Sequence, residues 1–266
     1  MNEKPQNRYQ ALIESIFLRH YQKGLTVVAF SRDELVSTAQ DLKIAIPSNL
    51  GDVLYSFRYR YPLPQKILDT QPAGQEWLIE GAGRAKYEFR LVPINRITPN
   101  PNLVTTKIPD ATPEIIAASS LSDEQALLAK VRYNRLIDIF LGITVYSLQN
   151  HLRTTVKGLG QIEIDEVYVG IDKHGCQYII PVQAKGGGDQ LSTVQAKQDI
   201  ACCAEKFPEL VCRAISAQFM DDSRIAIFEL CLDDGGMVRP VEERHYRLVP
   251  AEQIDAADRQ SYRRRA

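Results

Sequence analysis

Apolar residues at Leu12, Ile13, Ile16 and Phe17 repeat at the spacing of one helical face and predict a helix over 8–22, ended by Gly24. Ser31, with Glu34 three residues on, is a capping box that opens a short helix through Leu35, Val36 and Ala39. After Pro47, Ser48 is placed to cap a third helix through Leu50, Val53, Leu54 and Phe57, stopped at Tyr61-Pro62. The pattern then changes period. Residues 77–80 and 86–92 read as two strands around Gly81-Ala82-Gly83-Arg84.

Between Pro99 and Pro113 four prolines fall within fifteen residues, which excludes a continuous helix and reads as a linker. Beyond it, Ser122-Asp123-Glu124-Gln125 is a second capping box, leading into a helix with Leu127, Leu128, Val131, Leu136 and Ile139 inward. A further helical stretch over 145–156 follows Gly142. Residues 161–171 and 176–185, rich in Ile, Val and Tyr, read as paired strands. A helix over 192–207 and strands over 213–220, 224–232 and 243–249 complete a mixed α/β (α+β) chain. The expected organisation is a first domain over 1–97, a proline-rich linker over 98–113 and a second domain over 114–266.

Composition narrows the class without changing this outline. With 44% hydrophobic and 24% charged residues, the 266-residue chain has ordinary globular usage. Its longest apolar runs, 25–30 and 225–232, are far below the roughly 20 residues of a membrane span. Five cysteines without a CxxC pair and four scattered histidines lack zinc-finger spacing, so reduced cysteines in a cytoplasmic protein are expected, with no membrane partner. Residues 1–110 carry a net charge of +3 and residues 111–266 a net charge of −4, which excludes a uniformly basic nucleic-acid binder but not a local basic face. Cys202-Cys203 is expected in a core, Asp233-Asp234-Gly235-Gly236 in a turn, and Tyr262-Arg263-Arg264-Arg265 in a solvated tail.

The order helix, helix, helix, glycine-tipped hairpin resembles the winged helix-turn-helix fold over 1–97. That resemblance implies a third helix in the major groove of double-stranded DNA and a wing on the backbone. Carried onto this sequence, the helix supplies Asn49, Arg58, Tyr59 and Arg60, and the wing supplies Arg84 and Lys86.

Chemistry concentrates in the hairpin at 161–185. Its Lys173-His174-Gly175 loop, with glycine at the left-handed position, fixes the register. If Asp172 pairs with Cys176, then Asp165 faces Gln183 and Glu163 faces Lys185, all on one side of the sheet. Carboxylate and amide oxygens in such a cluster suit magnesium, which keeps several waters and accepts phosphate oxygens. Gly186-Gly187-Gly188-Asp189 then ends the strand in backbone able to approach a phosphate.

Gly160-Gln161-Ile162-Glu163-Ile164-Asp165, followed after seventeen residues by Gln183-Ala184-Lys185, resembles the active-site hairpin of the PD-(D/E)xK nuclease superfamily in an E-x-D and Q-x-K form. The resemblance implies a restriction-endonuclease-like domain with a central mixed β-sheet flanked by helices. In it Asp165 and Gln183 hold Mg2+, for which Mn2+ substitutes, the Ala184 carbonyl completes the ligand set, and Lys185 serves the attacking water. Gln183 departs from the usual acid, so either another group compensates, with Glu163, Glu166 or a polar residue on the preceding helix such as Gln149 or His151 as candidates, or metal affinity is low. The expected function is a dimeric, metal-dependent endonuclease of double-stranded DNA, most similar to prokaryotic restriction enzymes, including those sensitive to base modification. A DNA repair or recombination nuclease, and a non-catalytic DNA-binding regulator with a nuclease-like dimerisation domain, are the competing readings.

Overall fold

The computed structural model describes residues 5–46, 49–59, 61–94, 96–119, 123–186, 191–220 and 223–264. Helix accounts for 34% and strand for 37%, a mixed α/β chain with a mixed central sheet. It divides into two compact units, residues 1–94 with 155–160, and residues 95–154 with 161–266.

The first unit runs α1 (Pro5–His20), β1 (Val27–Ser31), α2 (Arg32–Asp41), α3 (Leu50–Tyr59), α4 (Gln65–Leu68), β2 (Gln75–Gly81) and β3 (Lys86–Pro93). The capping box opens α2 as expected, with the Ser31 N–H donating to Glu34 Oε1 at 2.8 Å. Ser48, the expected cap of α3, lies outside the described residues. The three strands form an antiparallel sheet in the order β1-β3-β2. The apolar face of α1 closes it, with Phe17 edge-on to Trp77 at 5.1 Å and to Phe89 at 5.0 Å. Fully buried side chains of this size each contribute about 1.5–3 kcal/mol, which makes this cluster the main stabilising feature of the unit.

The second unit begins with β4 (Arg96–Ile97), β5 (Thr105–Pro109), α5 (Glu114–Ser119), α6 (Asp123–Tyr133), α7 (Leu136–Leu141), β6 (Thr144–Val156), β7 (Gly160–Ile171) and β8 (Gln177–Lys185). It continues through β9 (Leu191–Ser192), α8 (Thr193–Lys206), β10 (Val211–Cys212), β11 (Ala214–Phe219), β12 (Ile225–Leu232), β13 (Val238–Val249) and α9 (Ala256–Arg263). The sheet order is β5-β13-β12-β11-β8-β7-β6, with β10 also paired to β8. β8 and β11 are parallel, as are β13 and β5, whereas β11–β12, β12–β13 and β7–β8 are antiparallel. Side-chain alternation along β7, β8 and β11 sends Tyr168, Ile180, Val182, Ala184, Ile215 and Ala217 into the core beneath α6 and α7. Gln183, Ser216 and Gln218 point to the opposite face, where α8 packs Ala196 against Ala214, Ala226 and Phe228.

Four expectations are corrected. Residues 145–156 form β6 rather than a helix: Val145, Leu148, Leu152 and Val156 imitate helical spacing, but most of this edge strand is exposed and has no buried face to impose a period of two. The expected linker contributes β5, parallel to β13, with Pro109 tolerated at the end of an edge strand, and β4, at the end of the expected first domain, pairs with β9 in the second unit. The helix expected to run to Ile139 breaks at Arg135, which has φ +51°, and leaves Ile139 47% exposed. Asn134 fills the break, accepting from the Ala111 N–H at 2.7 Å and donating to Thr112 Oγ1 at 2.9 Å. Of the expected C-terminal tail, Tyr262 and Arg263 belong to α9, anchored where the Lys107 N–H donates to the Tyr262 hydroxyl at 3.0 Å, while Arg263 and Arg264 are exposed as expected and Arg265 lies outside the described residues.

Candidate functional site

The β7–β8 register matches the expectation from the turn. Gly175 has φ +83°, and its loop is tied by Asp172 Oδ1, which accepts from the His174 N–H at 2.8 Å and the Cys176 N–H at 3.0 Å. Pairing runs from Ile171↔Gln177 to Glu166↔Val182. Beyond that point the side chain of Asp165 replaces the ladder, its Oδ2 accepting from the Ala184 N–H at 2.8 Å. In an extended strand the N–H and C=O of one residue project to the same edge, so the Ala184 carbonyl faces the Asp165 side as well.

Gln183 is buried on the α8 face. Its Nε2 donates to the Glu163 carbonyl at 3.1 Å and to Asp199 Oδ1 at 3.3 Å. Both amide hydrogens are used, which leaves Oε1 as the atom able to meet a cation. Lys185 is largely buried, and its Nζ stands 3.5 Å from Glu124 Oε1 in the first turn of α6. Asp165, Gln183 and Lys185 therefore gather where β7 and β8 part. Glu163 approaches through its backbone, while its carboxylate pairs with Arg153 Nε at 3.2 Å and stands 3.7 Å from His151 Nδ1.

Three carboxyl groups, Glu124, Asp165 and Asp199, lie about Lys185; Asp199 is buried, whereas the side chain of Glu124 is 46% exposed. Burial raises the pKa of Asp165, and the charge of Glu124 adds to the shift, while the Ala184 N–H and Lys185 oppose it. Burial pushes Asp199 well above the usual carboxylate range, and Asp165 pushes it further. The strain of burying the Asp165 and Asp199 carboxylates is relieved by a proton or a cation.

Glu166 does not serve the site. It lies on the other face, where its carboxylate receives hydrogen bonds from Arg132 and the Tyr168 hydroxyl. Gln149 and His151 are on β6, not on a helix. Glu124 and Asp199 are the acids that sequence reasoning missed; the only signal for Glu124 was its place in a capping box, and nothing local marked Asp199. Among the described residues no three His, Cys, Asp or Glu side chains form a metal cage. The Asp165 carboxylate, the Gln183 amide oxygen and the Ala184 carbonyl are instead a set of hard oxygen donors, suited to a Mg2+ ion that keeps much of its water. Residues 187–190, which include most of the glycine loop, lie outside the described residues, as do Asp221 and Asp222.

In the first unit, Asn49 Oδ1 accepts from the Gly51 N–H at 3.0 Å and so caps α3. Arg58 Nη2 reaches the Leu159 carbonyl at 3.5 Å. Tyr59 closes α3; its side chain and Arg60 lie outside the described residues. Arg84 and Lys86 are exposed at the β2–β3 turn, where Gly83 has φ +118° and Ala85 φ +58°.

Comparison with protein-family models, curated proteins and solved structures finds no match. No helix among the described residues is long and apolar enough to cross a membrane.

Proposed function

We propose that the chain is a metal-dependent endonuclease of double-stranded DNA, with a PD-(D/E)xK-like second unit and a winged-helix first unit that engages the duplex. The observation that carries this reading is the convergence of Asp165, Gln183 and Lys185 at the parting of β7 and β8, with Glu124 beside the lysine. A carboxylate, an amide oxygen and an ammonium group at a splayed strand end suit phosphodiester hydrolysis better than a purely structural ion pair, because the acids exceed the base. Arg84 and Lys86 on the exposed β2–β3 turn supply charge for backbone phosphates.

In this mechanism Asp165, the Gln183 oxygen and the Ala184 carbonyl hold Mg2+ or Mn2+. Held there, such an ion would supply Lewis-acid chemistry at the phosphate. Asp165 is kept in place by the Ala184 N–H, and Asp199 with the Glu163 carbonyl fixes the amide plane of Gln183. Lys185, steadied by Glu124, donates to the attacking water and aligns it with phosphorus. A two-fold dimer acting as a restriction-type enzyme would present one such site to each strand of the duplex.

The test is incubation of the protein with modified and unmodified plasmid and phage DNA in Mg2+, in Mn2+ and in EDTA. The reading expects discrete fragments that require the metal. A metal-dependent smear would instead favour a repair or recombination nuclease, and binding without cutting in either metal would favour a non-catalytic regulator.

A further inference from the structure

β6 carries an irregularity at the rim of the candidate site. His151 has φ +48°, a left-handed backbone conformation within β6. From this kink His151 and Arg153 both turn towards the carboxylate of Glu163, two residues before Asp165 on β7. The Arg153 contact is bidentate, Nε to Oε2 at 3.2 Å and Nη2 to Oε1 at 3.4 Å, and His151 Nδ1 stands 3.7 Å from Oε1. The acid is only 16% exposed, whereas Arg153 and His151 are 57% and 58% exposed. The carboxylate thus holds the two donors in place from beneath while their outer surfaces stay open to solvent. A planar guanidinium has five N–H donors in a fork that fits phosphate as well as carboxylate.

The geometry points to a phosphate-binding rim: Arg153 and His151 grip a backbone phosphodiester of the nucleic acid beside the one that is attacked. This rests on the nuclease reading and deepens it, assigning β6 the task of holding the strand against the site. Glu163 is then a positioning residue that competes with the phosphate for the same donors, which explains why an acid in the E-x-D motif has its carboxylate on Arg153.

The test is fluorescence polarisation of a labelled 30-base-pair duplex in EDTA over a series of KCl concentrations, with thermal melts confirming that each variant folds. For Arg153→Ala the expected result is a loss of affinity of about 5- to 20-fold and a log–log salt slope shallower by about 0.9, one phosphate contact. Arg153→Lys should retain most of the affinity, and His151→Ala should weaken binding in the same direction. Glu163→Gln, which removes the competing charge, should bind more tightly than wild type, an outcome that a merely structural Glu163 would not produce. A wild type that binds and cleaves, with Arg153→Ala and His151→Ala showing unchanged affinity and slope, overturns this inference and leaves the nuclease reading standing. A wild type that binds no duplex overturns both.

Discussion

Asp199 Oδ1 lies 3.3 Å from Nε2 of Gln183, so the one neutral residue in the expected acidic motif sits against a buried acid from another element. α8 brings Asp199 to the underside of β8, and only 3% of the residue remains exposed. The hydrogen bond from Gln183 favours the charged form of Asp199, but burial outweighs it.

A pH dependence follows from that burial. Folded Asp199 keeps its proton at pH values where the unfolded chain, near the ordinary value of 3.8, has lost it. Its contribution is therefore most favourable at low pH and is lost as pH rises from that value through the raised folded one. Asp199→Asn should remove this component and melt higher than wild type at pH 8, by about 2–4 °C for each kcal/mol recovered. Paired thermal melts from pH 4 to pH 9 check it, and a variant less stable than wild type at pH 8 would contradict it.

Arg132, Glu166 and Tyr168 make a second buried polar cluster on the α6 face. Burial, followed by the neighbouring Glu166, raises the Tyr168 pKa, so the phenol remains a donor. Arg132→Ala would strand a carboxylate that is 1% exposed. Removing one partner of a fully buried pair costs about 3–5 kcal/mol; with Arg132 still 35% exposed, about 2–3 kcal/mol is expected. Urea unfolding should show that loss, and replacing Arg132 and Glu166 together by methionine should restore most of it.

Two glycines in the β7–β8 hairpin should fail for different reasons. Gly175→Ala meets no atom within 4 Å, yet forces an alanine to φ +83°, a cost of about 1–2 kcal/mol. Gly170→Ala has ordinary backbone but places its Cβ 2.9 Å from Ile143 Cδ1 and 3.1 Å from Ile180 Cδ1, which is overpacking worth about 1–3 kcal/mol. Enlarging the cavity by Ile143→Val should rescue the second variant and leave the first unchanged in equilibrium unfolding.

Local chemistry made the hairpin legible in sequence. A glycine at the left-handed loop position set the register, and the register brought Asp165 and Gln183 to one strand end. α2 was legible through Ser31 and Glu34 in the same way. β6 was not, because an exposed edge strand carries no burial signal and its scattered apolar residues imitate a helix. β5 was hidden by the prolines around it, since an edge position tolerates what a central strand would not. Glu124 and Asp199 were invisible for a third reason: both reach the site through packing of helices distant from the motif, and no short-range spacing encodes that.

The central claim is that Asp165 and Lys185 carry hydrolysis of DNA, and cleavage of supercoiled plasmid in Mg2+ by the wild type, Asp165→Asn and Lys185→Ala tests it most directly. The account predicts metal-dependent cutting by the wild type and a loss of at least about 100-fold in each variant, the scale of a group acting on the attacking water. Circular dichroism and duplex binding should remain intact in both. Undiminished cutting by Lys185→Ala, or a wild type that binds DNA and cuts none in any divalent metal, would contradict it.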